Sequence, residues 1–109
     1  EIYLNEMAPR PHNSGHYTIE ACNISQFAQH IRAICGLPLI PVNLLEPSLM
    51  INILGEDVVP TLRAMAKVNQ GFVHLYGKDE AKAKRKMGHI TFIGENNIEQ
   101  VKQFEEAKQ

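Results

Sequence analysis

The densest group of chemically useful side chains lies at residues 10–16, which have the sequence Arg-Pro-His-Asn-Ser-Gly-His. The arginine offers a planar fork of donors that matches the oxygens of a carboxylate or a phosphate. Pro9, Pro11 and Gly15 exclude a regular helix or a central strand here. The segment is therefore predicted to be an ordered polar loop, and its sequence leaves open whether it binds an anion or only forms a turn.

Two other chemistries are disfavoured for this loop. His12 and His16 have the i, i+4 spacing of a zinc-binding pair, but Asn-Ser-Gly between them argues against a helix, and no third ligand is evident. Ser14 lacks the GxSxG pattern of a hydrolase nucleophile. The sequence therefore does not favour a zinc site or a serine hydrolase.

A second candidate site is the basic segment at residues 78–86, where five Lys or Arg side chains outnumber two acidic ones. Gly71 and Gly77-Lys78 are one residue too far apart for a phosphate-binding P-loop, and the apolar run between them predicts a strand. The segment either clamps a phosphate group or is an ordinary solvated loop.

A single carboxylate near the start of the chain is a candidate magnesium ligand. Asn5 and Glu6 follow Ile2-Tyr3-Leu4, which predicts a strand. Mg²⁺ takes one or two protein carboxylates, with water and nucleotide phosphates completing its coordination. On spacing alone, an ordinary surface carboxylate is the simpler explanation of Glu6.

The elements that must position these groups are of mixed type. Helices are predicted after a capping box at Asn23, near Pro60 with Leu62, Met65 and Ala66 facing inward, and after a second capping box at Asn96. Strands are predicted at residues 49–54, buried on both faces, and at 72–76 and 89–93, paired as a hairpin. A proline-rich connector at residues 37–47 suggests a boundary. This irregular order predicts the α+β class.

Composition narrows the classes of function. The chain has 109 residues and a formal charge of −1, so its net charge does not attract DNA or anionic lipid. No apolar stretch is long enough for a membrane span, so we expect a cytoplasmic protein without nucleic-acid or membrane partners. Cys22 and Cys35 are expected to be reduced and mostly buried. Because the chain begins at Glu1 in an apparent strand, we expect it to be a fragment.

Residues 5–22 and 25–27 strongly resemble 5-(carboxyamino)imidazole ribonucleotide synthases. These ATP-grasp ligases of purine biosynthesis are the ATPase subunit of phosphoribosylaminoimidazole carboxylase. Residues 50–55, 76–78 and 85–90 agree with the same family, so the resemblance extends over about residues 2–94. It implies that residues 1–38 are the C-terminal end of an ATP-grasp domain and that residues 39–109 are a small, β-rich C-terminal domain, similar to a rudimentary hybrid motif, with flanking helices.

The resemblance also implies a reaction. Bicarbonate is joined to the amine of 5-aminoimidazole ribonucleotide by way of carboxyphosphate, and ATP is hydrolysed to ADP and phosphate. The implied cofactors are ATP and Mg²⁺, and the implied partners are the missing N-terminal and ATP-grasp domains, with a homodimer as the intact enzyme. Because most of the ATP-grasp domain is absent, the chain alone is expected to be inactive. The alternative is a noncatalytic interaction or anion-binding module.

Roles for individual residues follow from the same resemblance. Asn5 and Glu6 correspond to the ATP-contacting pair, with Glu6 as the magnesium ligand, and Arg10 and His12 to the groups that hold bicarbonate or carboxyphosphate. Substrate binding is further assigned to Asn13, Ser14, Lys78 and Arg85, the last two holding the ribonucleotide phosphate. The family commonly has Arg-Pro where this chain has Lys82-Ala83. The point charge of a lysine ammonium replaces the planar guanidinium fork of an arginine there, so we expect weaker binding of the phosphate.

Overall fold

The computed structural model describes residues 9–78 and 83–109. The helices are α1 (Thr18–Ala21), α2 (Gln26–Ile34), α3 (Val58–Met65) and α4 (Asn97–Ala107), and the strands are β1 (Ser48–Leu54), β2 (Phe72–Leu75) and β3 (Lys86–Ile93). Short 3-10 turns lie at Asn13–Gly15 and Gly55–Asp57. This mixture of helices with one sheet confirms the α+β class.

The three strands form one antiparallel sheet in the order β1-β3-β2, which confirms the predicted pairing of β2 with β3. Side chains alternate between the two faces of a strand. In β3, Ile90 and Phe92 therefore point to one face, and His89 and Thr91 to the other. Because His89 lies opposite both Asn52 and His74, these three side chains share the second face of the sheet.

The first face of the sheet carries the hydrophobic core. Phe92 on β3 and Phe104 on α4 are almost fully buried, and their rings meet edge to face with centroids 5.6 Å apart. Helices α3 and α4 cover this face, and the buried cluster consists of Ile53, Ala64, Ile90, Phe92 and Phe104. The core therefore fixes β3 and its neighbours from one side only.

The second face of the sheet is covered by the beginning of the described chain. Helix α1 packs against β3. Glu20 on α1 reaches β2, where its Oε2 lies 2.6 Å from Nε2 of His74. This face is polar, and it is the face on which the loop at residues 10–16 contacts the sheet.

Helix α2 begins at a different cap from the predicted one. Ser25, and not Asn23, caps the helix, because its side-chain oxygen accepts the backbone N–H of Ala28. Asn23 instead binds the connector: its Nδ2 donates to the Pro41 carbonyl and its Oδ1 accepts the Asn43 N–H. The connector therefore lies along the end of α1 and along α2.

The predictions of burial for β1 and for α3 are wrong. Strand β1 is an edge strand, and only Ile53 in it is fully buried, because the sheet has just three strands. Helix α3 buries Thr61 and Ala64, whereas Leu62 and Met65 are about half exposed. The predicted inward face is rotated because Thr61, a small β-branched residue, packs as a core residue.

Helix α4 follows Asn96 as predicted, but the second capping box does not form. The side chain of Asn96 makes no cap hydrogen bond, and its Oδ1 accepts instead from Nε2 of Gln100. Gln100 is buried and also donates to the Ile93 carbonyl. Cys22 is buried as predicted, but Cys35 is exposed, so the predicted burial of that thiol is wrong; both are free thiols. No helix among the described residues is long and apolar enough to cross a membrane.

Candidate functional site

A single glutamine fixes the loop at residues 10–16. The side chain of Gln26, at the start of α2, accepts the backbone N–H of His12 at 2.9 Å and donates to the His12 carbonyl at 2.7 Å. The same amide nitrogen lies 2.8 Å from Nδ1 of His16. Gly15 permits this arrangement, because a Cβ at that position would collide with the Gln26 side chain. The loop is therefore ordered by its contacts with α2.

We predict that Gln26→Ala lowers the free energy of unfolding by about 1–2 kcal/mol, because three hydrogen bonds to one partly buried side chain are lost. Urea denaturation measures this change. Gln103→Ala, at an exposed position on α4, is the matched control and should have little effect. Equal stability of the two variants would show that Gln26 does not order the loop.

Inside the loop, His12 has a defined ring orientation. Its Nδ1 accepts the backbone N–H of Ser14 at 3.2 Å and lies 3.1 Å from the Ser14 hydroxyl. With Nδ1 as an acceptor, a neutral ring carries its proton on Nε2. The Nε2–H group can then donate to an anion, which is the chemistry required at a carboxylate-binding position.

The basic segment is anchored at both of its described ends. Lys78 donates through Nζ to the carbonyl of Lys86 and lies over the ring of Tyr76, 5.7 Å from its centroid. Lys84 has a left-handed backbone, φ 64°, and its N–H donates to the Glu56 carboxylate at 2.7 Å. That hydrogen bond, chiefly, lowers the pKa of Glu56.

The loop and the basic segment meet through His16. Its ring centroid lies 6.0 Å from that of Tyr76 and 5.0 Å from that of His89. Tyr76 is the same ring that Lys78 covers. The pKa of His16 is lowered, first by burial, then by His12 and His74, and least by Lys86. The polar loop thus lies beside the end of β2 and the start of β3.

The other predicted site residues are placed as follows. Arg10 is the first residue of the loop; it is exposed and donates to the Pro11 carbonyl at 3.2 Å. Arg85 is exposed and directly precedes β3. Asn13 begins the 3-10 turn. Asn5, Glu6 and Lys82 lie outside the described residues.

A cluster of imidazoles lies between the loop and the sheet. His89 is 2% exposed, its ring stacks on that of His74 at 4.8 Å, and its Nδ1 lies 2.9 Å from the Tyr76 hydroxyl. Burial, and after it the neighbouring His74 and His16, together lower the pKa of His89 to about 4. His89 is therefore neutral at physiological pH.

This pKa predicts that acid destabilises the fold. Between pH 6.5 and about 4, the unfolded chain protonates His89 and the folded chain does not. The unfolded state then binds more protons, so stability falls as the pH falls through this range. We expect the free energy of unfolding to fall by about 2 kcal/mol between about pH 7 and about pH 4.5. Urea denaturation measures this change, with a chelator present to keep metal ions off the histidines. Equal stability at the two pH values would contradict the assignment.

Sequence reasoning missed part of this site. The sequence does not mark Glu20, His74 or His89 as site residues, and it indicates Gln26 only as the second residue of the capping box that begins at Asn23. A usable signal was the alternation in 72–76 and 89–92, which separates His74, Tyr76 and His89 from the apolar Val73, Ile90 and Phe92. A polar face on the central strand of a small sheet indicates that another element, with polar groups of its own, covers that face.

Comparison with known families gives two matches. The sequence profile described as "Phosphoribosylaminoimidazole carboxylase C-terminal domain" matches residues 48–103. The profile described as "ATP-grasp domain" matches residues 1–27. Residues 28–47, which include most of α2 and the connector, belong to neither match.

Relatives with known names agree. The chain is 48% identical over 104 residues to the N5-carboxyaminoimidazole ribonucleotide synthase of Bacillus subtilis, covering 95% of this chain and 27% of that protein. It is 50% identical over 110 residues to the enzyme of the same name from Staphylococcus saprophyticus, covering 96% of this chain and 29% of that protein. The chain thus spans between a quarter and a third of the length of these relatives.

Solved structures show the same likeness. An ADP complex of N5-carboxyaminoimidazole ribonucleotide synthetase superposes with a TM-score of 0.88 at 54% identity, covering 98% of this chain and 28% of that one. The Aspergillus clavatus synthase, in complex with ADP and 5-aminoimidazole ribonucleotide, gives a TM-score of 0.75 at 40% identity, covering 90% and 28% of the two chains. The profile match covers more than half of the sequence, and the chain therefore belongs to the phosphoribosylaminoimidazole carboxylase C-terminal domain family.

Proposed function

We propose that this chain is the C-terminal part of an ATP-dependent carbon–nitrogen ligase. The reaction carboxylates 5-aminoimidazole ribonucleotide with bicarbonate and yields 5-(carboxyamino)imidazole ribonucleotide, ADP and phosphate. The matched relatives carry the name of this synthase, and one solved relative holds ADP and 5-aminoimidazole ribonucleotide. In this proposal, residues 1–38 end the ATP-grasp domain and residues 39–109 form the small C-terminal domain.

The observation that carries the proposal is the contact of His16 with Tyr76. It places the loop containing Arg10 and His12 beside the strand end from which Lys78 extends. Two cationic segments about sixty residues apart in sequence thereby adjoin each other through His16 and Tyr76. Such an arrangement lets one segment bind the bicarbonate-derived anion and the other the 5′-phosphate of the ribonucleotide.

The proposed roles follow from the side-chain chemistry. The Arg10 fork and the Nε2–H group of His12 bind the oxygens of bicarbonate or carboxyphosphate, while Asn13 and Ser14 shape the same loop. Lys78 and Arg85 bind the 5′-phosphate of the ribonucleotide. Fixed donors placed where charge develops lower the barrier most in a site with little water. Arg10 and His12 are accordingly the proposed catalytic groups.

The cofactors belong to the proposal as well. ATP is supported by the ATP-grasp match and by the ADP complexes of relatives. Asn5 and Glu6 are proposed to contact ATP, with Glu6 as a magnesium ligand, where Mg²⁺ would neutralise phosphate charge. The intact enzyme is proposed to be a cytoplasmic homodimer.

A chimera tests the proposal with this chain's own residues. The matching stretch of the Bacillus subtilis synthase is replaced by this chain, and ADP release is followed with and without 5-aminoimidazole ribonucleotide. We expect ribonucleotide-dependent ADP release from the chimera and none from the isolated 109-residue chain. A folded chimera without turnover, or robust turnover by the isolated chain, would refute the proposal.

A second candidate function has one observation in its favour. No residue of α2 is buried, and Ile31 and Ile34 on α2 and Leu39 on the connector are more than half exposed. Such an apolar surface suits a noncatalytic interaction module. This function predicts self-association that rises with concentration and is abolished by Ile31→Lys with Ile34→Lys. Sedimentation of a monomer at all concentrations would count against it.

A further inference from the structure

Three side chains from three different elements place possible metal-ligand atoms close together. Glu20 comes from α1, His74 from β2 and His89 from β3, and one ligand atom from each lies within 4.8 Å of the others. All three lie where α1 covers the polar face of the sheet. None of them has a role in the proposed ligase chemistry.

Unpartnered atoms in this cluster point to a ligand. Within the described residues, Nε2 of His89 and Oε1 of Glu20 are buried and have no hydrogen-bond partner. The His89 side chain is 2% exposed, so water does not compensate from the surface. Asn52, opposite His89 on β1, likewise has a buried Oδ1 that no described residue binds. A buried polar atom without a partner is costly and calls for an explanation.

We propose that Glu20, His74 and His89 form a binding site for a divalent transition cation of the zinc class. Two imidazole nitrogens and one carboxylate oxygen suit such an ion, and three protein ligands leave a fourth position for water. In this proposal that water donates a hydrogen bond to Oδ1 of Asn52, which lies opposite His89 and has no other partner among the described residues. The ion links three segments, of which Glu20 and His74 are 54 residues apart.

The existing geometry needs only small shifts. Oε2 of Glu20 and Nε2 of His74, now 2.6 Å apart in a hydrogen bond, separate by about 0.7 Å to ligate one ion, and the widest pair contracts. Tetrahedral zinc with ligands at about 2.0–2.1 Å places ligand atoms about 3.3 Å apart, so the widest pair, within 4.8 Å now, closes by about 1.5 Å at most. His74 can supply this movement, because its side chain is 37% exposed whereas that of Glu20 is 12% exposed. The ion also enters from the side of His74.

The surroundings of His89 suit a metal-bound ring. A ligating imidazole usually donates its other N–H to an oxygen acceptor, which fixes the ring. Nδ1 of His89 lies 2.9 Å from the Tyr76 hydroxyl oxygen, which can accept that hydrogen bond. Binding through Nε2 therefore selects the tautomer with its proton on Nδ1.

Metal titration of the full 109-residue chain tests this site. After treatment with a chelator, Zn²⁺ is titrated by calorimetry, and Co²⁺ is followed by the visible bands of tetrahedral coordination. We expect one ion per chain and a higher melting temperature in zinc. Glu20→Gln and His74→Ala should each weaken binding about 10–100-fold. The control His30→Ala, on α2 and outside the cluster, should not.

Ring proton spectra add a readout that needs no variant. Zn²⁺ should shift the resonances of His74 and His89 and leave those of His30 in place. Absence of saturable binding, or binding that Glu20→Gln, His74→Ala and His30→Ala leave equally strong, would overturn the site. Because the test uses no ligase substrate, its result is independent of the proposed function.

Discussion

Arg10→Ala in the chimera is expected to lower kcat/KM for carboxylation by about 10²–10³-fold. Arg10 is the only described arginine in the loop that Gln26 orders, and its fork is proposed to neutralise the oxygens of bicarbonate and carboxyphosphate. Removing one fixed donor from such a site typically costs a factor of this size. The measurement is steady-state ADP release at varied bicarbonate concentration.

Two comparisons make the Arg10 result specific. Arg10→Lys keeps the charge but loses the fork, so we expect only partial recovery. Arg32→Ala is the matched control, because that arginine lies on α2 and donates to the Pro38 carbonyl of the connector. If Arg10→Ala retained nearly normal kcat/KM, the loop would not bind the reacting anion.

Lys78→Ala should raise KM for 5-aminoimidazole ribonucleotide by about 10–100-fold, with a smaller change in kcat. A lost hydrogen bond to a charged phosphate is worth a factor of this order. Lys78 can turn from the Lys86 carbonyl to the phosphate because its partner there is a single backbone oxygen. Initial rates at varied ribonucleotide concentration separate the two constants.

The second basic side chain provides the internal test for Lys78. Arg85→Ala should raise the same KM, and the double variant should show whether the two side chains act on one phosphate, because such effects are not additive. Lys102→Ala, at an exposed position on α4, should leave KM unchanged. A fall in kcat alone in Lys78→Ala would place this lysine in the chemical step and not in substrate binding.

Local patterns predicted most of the elements of this fold. The alternation of apolar residues gave the pairing of β2 with β3, and the Pro-Gly content of residues 9–15 gave an irregular loop. Both follow from forces that act within a few residues. Residue types alone indicated the loop at residues 10–16, the basic segment and Glu6 as candidates, whereas the roles of individual residues came from the family resemblance and stay predictions.

Long-range packing explains what the sequence did not predict. Whether Leu62 or Thr61 faces inward depends on where α3 meets the sheet, which no local pattern specifies. Asn23 and Ser25 could each cap α2, and the connector decides between them by binding Asn23. The grouping of Glu20 with His74 requires the first segment to cover the sheet, which is a property of the whole fold.

Hydrogen–deuterium exchange of the chimera, with and without 5-aminoimidazole ribonucleotide together with bicarbonate, shows whether the two cationic segments line one site. We predict slower exchange in both peptides at once, the one covering residues 10–16 and the one covering residues 76–86. Protection of one peptide without the other, or of neither at a saturating ribonucleotide concentration, would contradict the shared site.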